Sequence, residues 1–296
     1  MNKPDILCIG SVLWDIIGRS SSHMRVGSDV PGRITRLPGG VAMNIAMTLR
    51  RFGLTPAILT AIGSDEEGEE LLASCARMGI ITDHVYRSYD LPTDRYMAVE
   101  GANGLISAIA DAHSLEAAGD KILRSMKDGT LGSAAEPYSG TIALDGNLTE
   151  ALLSDIAKSP LFTEADLRIA PASPGKAERL LPLLPHSGAT LYVNLEESGL
   201  LCHRQFKTSY DGAAGLLAKG ANRVLVTDGG NAASIGDANG IQSAQPREVL
   251  VTRVTGAGDT FMAAHIAAER DGFGDSEALA AALQAAADYV SGDTNL

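Results

Sequence analysis

Short apolar runs alternate along this chain with stretches whose apolar residues recur every three or four positions. Ile6–Ile9, Thr141–Leu144, Leu167–Pro171, Leu191–Val193 and Arg223–Thr227 each read as a buried strand. A strand covered on both faces carries apolar residues without polar alternation, the habit of parallel sheets. Between these runs, three sets fall on single helical faces: Ile45, Thr48, Leu49 and Phe52; Leu152, Leu153 and Ile156; Leu180, Leu181 and Leu184. Ala278–Val290 predicts a further, Ala-rich helix. Strand and helix in regular alternation predict an α/β fold with helices packed on a mostly parallel sheet. Two segments break the rhythm. Ile16–Leu37 is polar and Gly-rich, and Asp94–Asp111 alternates as exposed strands do.

The most informative stretch is Val251–Ala268, VTRVTGAGDTFMAAHIAA. Val249, Leu250, Val251 and Val254 predict a strand end that Gly256 and Gly258 interrupt. Phe261, Ala264, His265 and Ala268 then recur at helical spacing. A glycine turn feeding a helix leaves backbone N–H groups without intrahelical partners, aimed outward beside the positive end of the helix dipole. Gly256, Ala257 and Gly258 therefore predict an anion site, and phosphate is the usual anion. Asp259 is the odd member. A carboxylate repels phosphate unless it has a task, and taking the proton of an attacking hydroxyl is such a task. Spacing alone leaves a helix N-cap as the alternative.

Composition narrows the class. At 296 residues the chain accommodates one large α/β domain or two smaller ones. Its formal net charge of −12 opposes a nucleic-acid surface, which needs a basic stripe. It is compatible with a phosphorylated ligand held by backbone amides and a metal ion. Cys8, Cys75 and Cys202 are odd in number and widely spaced, which predicts free thiols in a reducing cytoplasm. No run approaches a membrane span, and Met1–Asp5 leads straight into the first strand without a leader peptide.

Other candidates stand where predicted strands end. Ligands of α/β sheets collect outside the carboxyl ends of strands. Asp15 follows five residues after Gly10, where the first strand leaves the sheet; a solvated loop acid is the alternative. Pro38-Gly39-Gly40 lets backbone approach a small ligand, and Asn44 offers a donor and an acceptor. Asp145 and Asn147 mark a site edge or a turn. Asn194-Leu195-Glu196-Glu197 reads, by itself, as an acid-enriched helix start. Asp228, beside Thr227 and Gly229, has no evident task.

TGAGD at 255–259 with its small-residue helix resembles the second signature of the ribokinase-like, PfkB-type carbohydrate kinases. Gly39-Gly40-x-x-x-Asn44, then Gly53 and Gly63–Gly68, resembles the first signature in order and spacing. The resemblance spans the chain. It implies a three-layer αβα domain over residues 1–296, with a mostly parallel central sheet and a small β-sheet lid from segments near 16–37 and 94–111. It implies ATP-dependent phosphorylation of a sugar or nucleoside hydroxyl. Asp259 would be the base, and Gly256, Ala257 and Gly258 would cradle the transferring phosphoryl group. Asp15, Gly39, Gly40 and Asn44 would hold the sugar. Thr227, Gly229, Gly256 and Gly258 would contact the nucleotide, and Asn194 and Glu197 would organise Mg²⁺. A homodimer through the lid is implied as well.

Arg253-Val254 stand where the family usually carries Asp-Thr, a departure at positions that help form a monovalent-cation site in some members. Leu105–Asp111, the D-x-N-L at Asp145 and the P-x-S-x-x-K-A run from Pro171 to Ala177 resemble the pseudouridine kinase branch. They imply pseudouridine as substrate, with ribose or an adenosine-like nucleoside as runner-up. A non-catalytic sugar- or nucleotide-binding regulator is the alternative from another class. A Rossmann dehydrogenase is disfavoured, because no G-x-G-x-x-G follows the first strand.

Overall fold

β1 (Ile6–Ile9) shows in four residues how the layers are made. All four side chains are buried, with Leu7 and Ile9 in one apolar cluster and Ile6 and Cys8 in another. Alternation across a strand puts those pairs on opposite faces, so the sheet is covered on both sides. The computed structural model describes residues 3–292.

The central sheet has eight strands. From one edge they run β4 (Pro56–Leu59), β1, β9 (Thr141–Asp145), β10 (Asp166–Ala170), β11 (Ala189–Asn194) and β12 (Arg223–Thr227), all parallel. β13 (Ala233–Asp237) and β14 (Gly240–Ala244) complete the other edge as an antiparallel meander. The Leu7 face packs on α3 (His113–Ala118), α4 (Glu150–Lys158), α5 (Leu195–Cys202) and α6 (Ser209–Ala218). The Cys8 face packs on α1 (Val41–Arg51), α2 (Glu66–Arg77), α7 (Ala257–Arg270) and α8 (Asp275–Ser291). Leu180, Leu181 and Leu184 fall on or beside a 3-10 helix, Pro174–Leu183, and not on the expected α-helix. Pro182 lies inside it, and a proline removes an α-helical hydrogen bond.

A second sheet has the order β3 (Arg33–Gly39), β2 (Leu13–Arg19), β7 (Arg95–Gly101) and β8 (Gly104–Asp111). β5 (Ala61–Gly63) and β6 (Tyr86–Ser88) form a short parallel pair. The exposed alternation at 94–111 is thus two strands of the second sheet. The expected strand end at Val249–Val254 is absent, and the segment is loop. Leu250 is 83% and Val254 71% exposed, and the loop's Thr252 and Arg253 amides both donate to the single carbonyl of Val290. One shared acceptor cannot extend a ladder.

At the carboxyl ends of the strands, three chain segments meet on one buried carboxylate. Asp145, the last residue of β9, accepts from the amides of Ser11 (2.6 Å), Asn147 (2.7 Å) and Ala42 (3.1 Å). It thereby joins the exit of β1, its own turn and the first turn of α1. Gly10 has φ +149°, and any Cβ there would overlap the Asp145 carboxylate, so glycine is required. Burial pushes the Asp145 carboxyl above its ordinary range, against the pull of the three amides. Asp145→Ala is expected to leave those buried N–H groups unsatisfied and to cost about 3 kcal/mol. A urea midpoint unchanged from wild type would contradict this.

Candidate active site

α7 begins immediately after Gly256, whose φ of +88° turns the loop into the helix. Gly256 is therefore the cap residue, and Asp259 stands in the first helical turn without a capping hydrogen bond. The N-cap alternative for Asp259 fails on that geometry. Its carboxylate Oδ2 instead accepts from Asn44 Nδ2 at 2.8 Å, across 215 residues of sequence. Asn44 is placed for this by α1, which starts after Gly40. At Gly40, φ is +94°, and a Cβ would crowd the backbone and hydroxyl of Ser11. Two glycine-led helix starts, α1 and α7, are thus brought face to face.

Burial raises the Asp259 carboxyl to about 7, aided by the negative charges of Asp145, Asp15 and Glu197 and opposed by the Asn44 hydrogen bond. The group is poised between base and acid near neutral pH. Contrary to the expectation of a free amide at Ala257, that amide donates to the carbonyl of Val254 at 3.0 Å. A loop that doubles back before Gly256 makes this bond available. The amides of Gly258 and Asp259 carry no hydrogen bond to the described residues, and an anion at the helix start would meet those two.

Asp15 is not in a loop. It lies within β2, opposite Leu37 on one side and Tyr96 on the other, with Ala110 next in the row. Burial raises its carboxyl to about 6. Gly39, at the end of β3, sits against that carboxylate so closely that a Cβ would overlap it. Asp15, Gly39, Gly40 and Asn44 are therefore gathered where β2 and β3 meet the start of α1, which faces the start of α7 through the Asn44–Asp259 bond.

Asn194 and Glu197 form a capping box at the start of α5. Asn194 Oδ1 accepts from the Glu197 amide and Glu197 Oε2 accepts from the Asn194 amide, both at 2.8 Å. The helix-start reading is thus realised, and it does not use up either side chain. Glu197 is buried, and that burial raises its carboxyl to about 7. Asn194 pairs in register with Thr227 at the ends of β11 and β12, so these two candidates are neighbours. Gly229, with φ +56°, lies in the exposed turn that follows. Asp228 now has a role: its backbone carbonyl and carboxylate accept from the Asn231 amide and side chain, closing that turn.

Asn147, marked in the sequence as a site edge or a turn, is tied to Lys176, whereas Tyr289 was not singled out from the sequence. Asn147 Oδ1 accepts from Lys176 Nζ at 2.7 Å, which orients its amide nitrogen away. Tyr289 donates to the carbonyl of Thr255 at 2.8 Å, one residue before the α7 cap. Glycine at 256 is the only sequence signal for that contact, since a Cβ there would meet the Tyr289 hydroxyl. A groove at the opposite end of the sheet, lined by Asp5, Tyr138 and Arg270, contains none of the candidate residues.

The pfkB family carbohydrate kinase profile matches residues 3–292. The chain is 28% identical over 270 residues to the pseudouridine kinase of Escherichia coli, covering 88% of this chain and 82% of that one. It is 28% identical to the guanosine-inosine kinase of Exiguobacterium acetylicum over 305 aligned positions, with 100% and 96% coverage. It is 24% identical to the E. coli fructoselysine 6-kinase, with 85% and 89% coverage. Among solved structures, a carbohydrate kinase from Agrobacterium tumefaciens superposes with a TM-score of 0.79 at 25% identity, over 96% of this chain and 90% of that one. The adenosine kinase of Schistosoma mansoni superposes at 0.75 and 17% identity, over 97% and 95%. With its two glycine-led helix starts, its carboxylate poised near neutrality and a second sheet facing them, this chain belongs to the pfkB family of carbohydrate kinases and is an ATP-dependent kinase of a sugar or nucleoside.

Proposed function

We propose that the enzyme transfers the γ-phosphoryl group of ATP to the primary 5′-hydroxyl of a ribosyl substrate, with pseudouridine as first choice. The observation that carries the mechanism is the Asn44–Asp259 contact at the start of α7. It joins the sugar-side glycine turn to the phosphate-side turn around one carboxylate whose pKa is about 7. Asp15, Gly39, Gly40 and Asn44 hold the ribose against the second sheet. Thr227, Gly229, Gly256 and Gly258 border the ATP phosphates. Asp259 takes the hydroxyl proton as the oxygen attacks the γ-phosphorus, and the bond to the β-phosphate oxygen breaks in line. The free amides of Gly258 and Asp259 meet charge that grows on the transferring group.

Magnesium suits this end of the molecule. Glu197 is buried, has no basic partner among the described residues, and keeps an oxygen outside its capping bond. A cation would relieve the burial that raises its pKa. Glu197 and Asn194 would hold the ion, largely through its waters, and it would neutralise phosphate charge.

The substrate choice rests on the similarity to the E. coli pseudouridine kinase and on the Leu105–Asp111 strand. The equal identity to a guanosine-inosine kinase favours a nucleoside acceptor over a plain sugar as runner-up. The outer face of the second sheet suggests self-association. Ile16, Met97 and Ile109 align across it, and Met97 and Ile109 are exposed. Homodimerisation through this face would cover them.

Four outcomes test these readings. Asp259→Asn is expected to fold normally and to lose about 10²–10⁴ in kcat. In the wild type, kcat/KM should rise tenfold per pH unit below about 7 and level off above it, because only the ionised carboxylate accepts the proton. A folded Asp259→Asn protein with wild-type turnover would refute the base. ADP release with Mg²⁺-ATP against pseudouridine, uridine, adenosine, ribose and fructose should favour pseudouridine. A preference for ribose or adenosine retains the mechanism and discards the substrate, while ligand binding with no ADP release favours a regulator. Ile109→Glu should shift a dimer towards monomer in light scattering, and a monomeric wild type removes the lid dimer.

A further inference from the structure

The loop that delivers Gly256 to α7 is held almost entirely by the last turn of α8. Thr252 and Arg253 donate their amides to the carbonyl of Val290 at 2.8 and 3.3 Å, and Thr252 Oγ1 reaches the same oxygen at 3.1 Å. Arg253 Nε donates to the Tyr289 carbonyl at 2.7 Å. The Arg253 guanidinium lies over the Tyr289 ring, 3.9 Å from its centroid. Tyr289 returns a bond in the other direction, from its hydroxyl to the Thr255 carbonyl at 2.8 Å. Further along the same loop, Arg247 pairs with Asp288 at 2.6 Å. α8 ends at Gly292, whose φ of +79° favours glycine, and a Cβ there would stand 3.1 Å from Thr252 Oγ1, so loop and helix end approach closely.

These contacts share a physical logic. The last carbonyls of a helix have no intrahelical donors and carry the negative end of its dipole, so a cation belongs there. Arg253 supplies one from the loop itself and stacks it on an aromatic ring, which adds cation–π attraction. In this chain a tethered positive charge therefore occupies the helix end. A fixed guanidinium already bonded to the helix-end carbonyl repels a free monovalent cation from this place and leaves it nothing to do there.

We propose that Arg253 is a built-in cation, and with Tyr289 a positioning pair, that clasps the Thr252–Gly256 loop to the carboxyl end of α8 and so aims the Gly258 and Asp259 amides without a free monovalent ion. The proposal rests on the kinase reading above for its rate effects, though not for its structural ones. Neither residue touches the reacting atoms. Both act through the turn at Gly256.

The test compares wild type, Arg253→Ala, Arg253→Lys and Tyr289→Phe. Arg253→Ala is expected to lower kcat about 10–100-fold, the scale of a modest misplacement of reacting groups, while KM for the acceptor changes little. Methylguanidinium at sub-denaturing concentration should restore part of that loss, and Arg253→Lys should retain more activity than Arg253→Ala. Wild-type rates should match in potassium and tetramethylammonium buffers. Amide hydrogen exchange across Thr252–Asp259 should quicken in Arg253→Ala, and in Tyr289→Phe to a smaller degree. Unchanged kcat and exchange in Arg253→Ala, or a wild-type rate that depends on potassium, overturns the proposal. A wild type that binds ATP but transfers no phosphoryl group defeats the kinase reading, and the exchange measurement then still decides the clasp.

Discussion

Negative charge gathered at the ends of the central strands is the constraint on which the rest of the site depends. Asp15, Asp145 and Glu197 all raise the Asp259 carboxyl further above its ordinary range, after burial has done most of it. Among the described residues, none of the four forms an ion pair with a basic side chain. Their partners are dipoles: three amides for Asp145, one for Glu197, and the Asn44 side chain for Asp259. A dipole stabilises a carboxylate less than a neighbouring lysine or arginine does, so the pKa values stay high. Dipolar compensation keeps Asp259 basic enough to accept a proton near neutral pH.

The same constraint accounts for the glycines around it. A carboxylate buried against backbone can come that close only where no Cβ intervenes. Gly10 against Asp145 and Gly39 against Asp15 are the two cases where the overlap would be severe. Gly39, read from the sequence as a close backbone approach to a small ligand, is therefore also a steric clearance for Asp15, and Gly10 is one for Asp145. The Asp145 strut adds order to this, since it joins the exit of β1 to the first turn of α1 and so sets where Asn44 meets α7.

The two ends of α7 are held by different means. Its start is governed by the loop clasp with α8 and by Asn44. Towards its other end, Glu269 pairs with Arg168 of β10 and Arg223 of β12, and His265 accepts from or donates to the Tyr192 hydroxyl of β11 at 2.9 Å. Burial lowers His265 to about 4, so it is neutral in this network. A helix fixed against three strands at one end carries the position of its other end faithfully, since its backbone is stiff along its axis.

Much of this was legible in the order of the residues. Unbroken apolar runs follow from burial on both faces, so β1, β9, β10, β11 and β12 were visible without a structure. Glycine turns that open a helix are local, and Gly39–Asn44 and Gly256–Asp259 could be recognised as such because their geometry is written within a few consecutive residues. The apolar segment at 249–254 misled for the same reason in reverse. Its valines have strand propensity, but its hydrogen-bonding partner is a helix end almost forty residues away. Only the tertiary structure decided that Asn44 and Asp259 share a hydrogen bond, that Asp15 belongs to a strand of the second sheet, that Asp145 is a strut and that Arg253 lies on Tyr289. Each of these is a contact between segments distant in sequence, and nothing local encodes the distance between them. The bond that occupies the Ala257 amide reaches only three residues back, to Val254, but it depends on how the loop is held. The chain by itself determined which short stretches can open a helix at a glycine turn or bury a face; packing determined which of them meet.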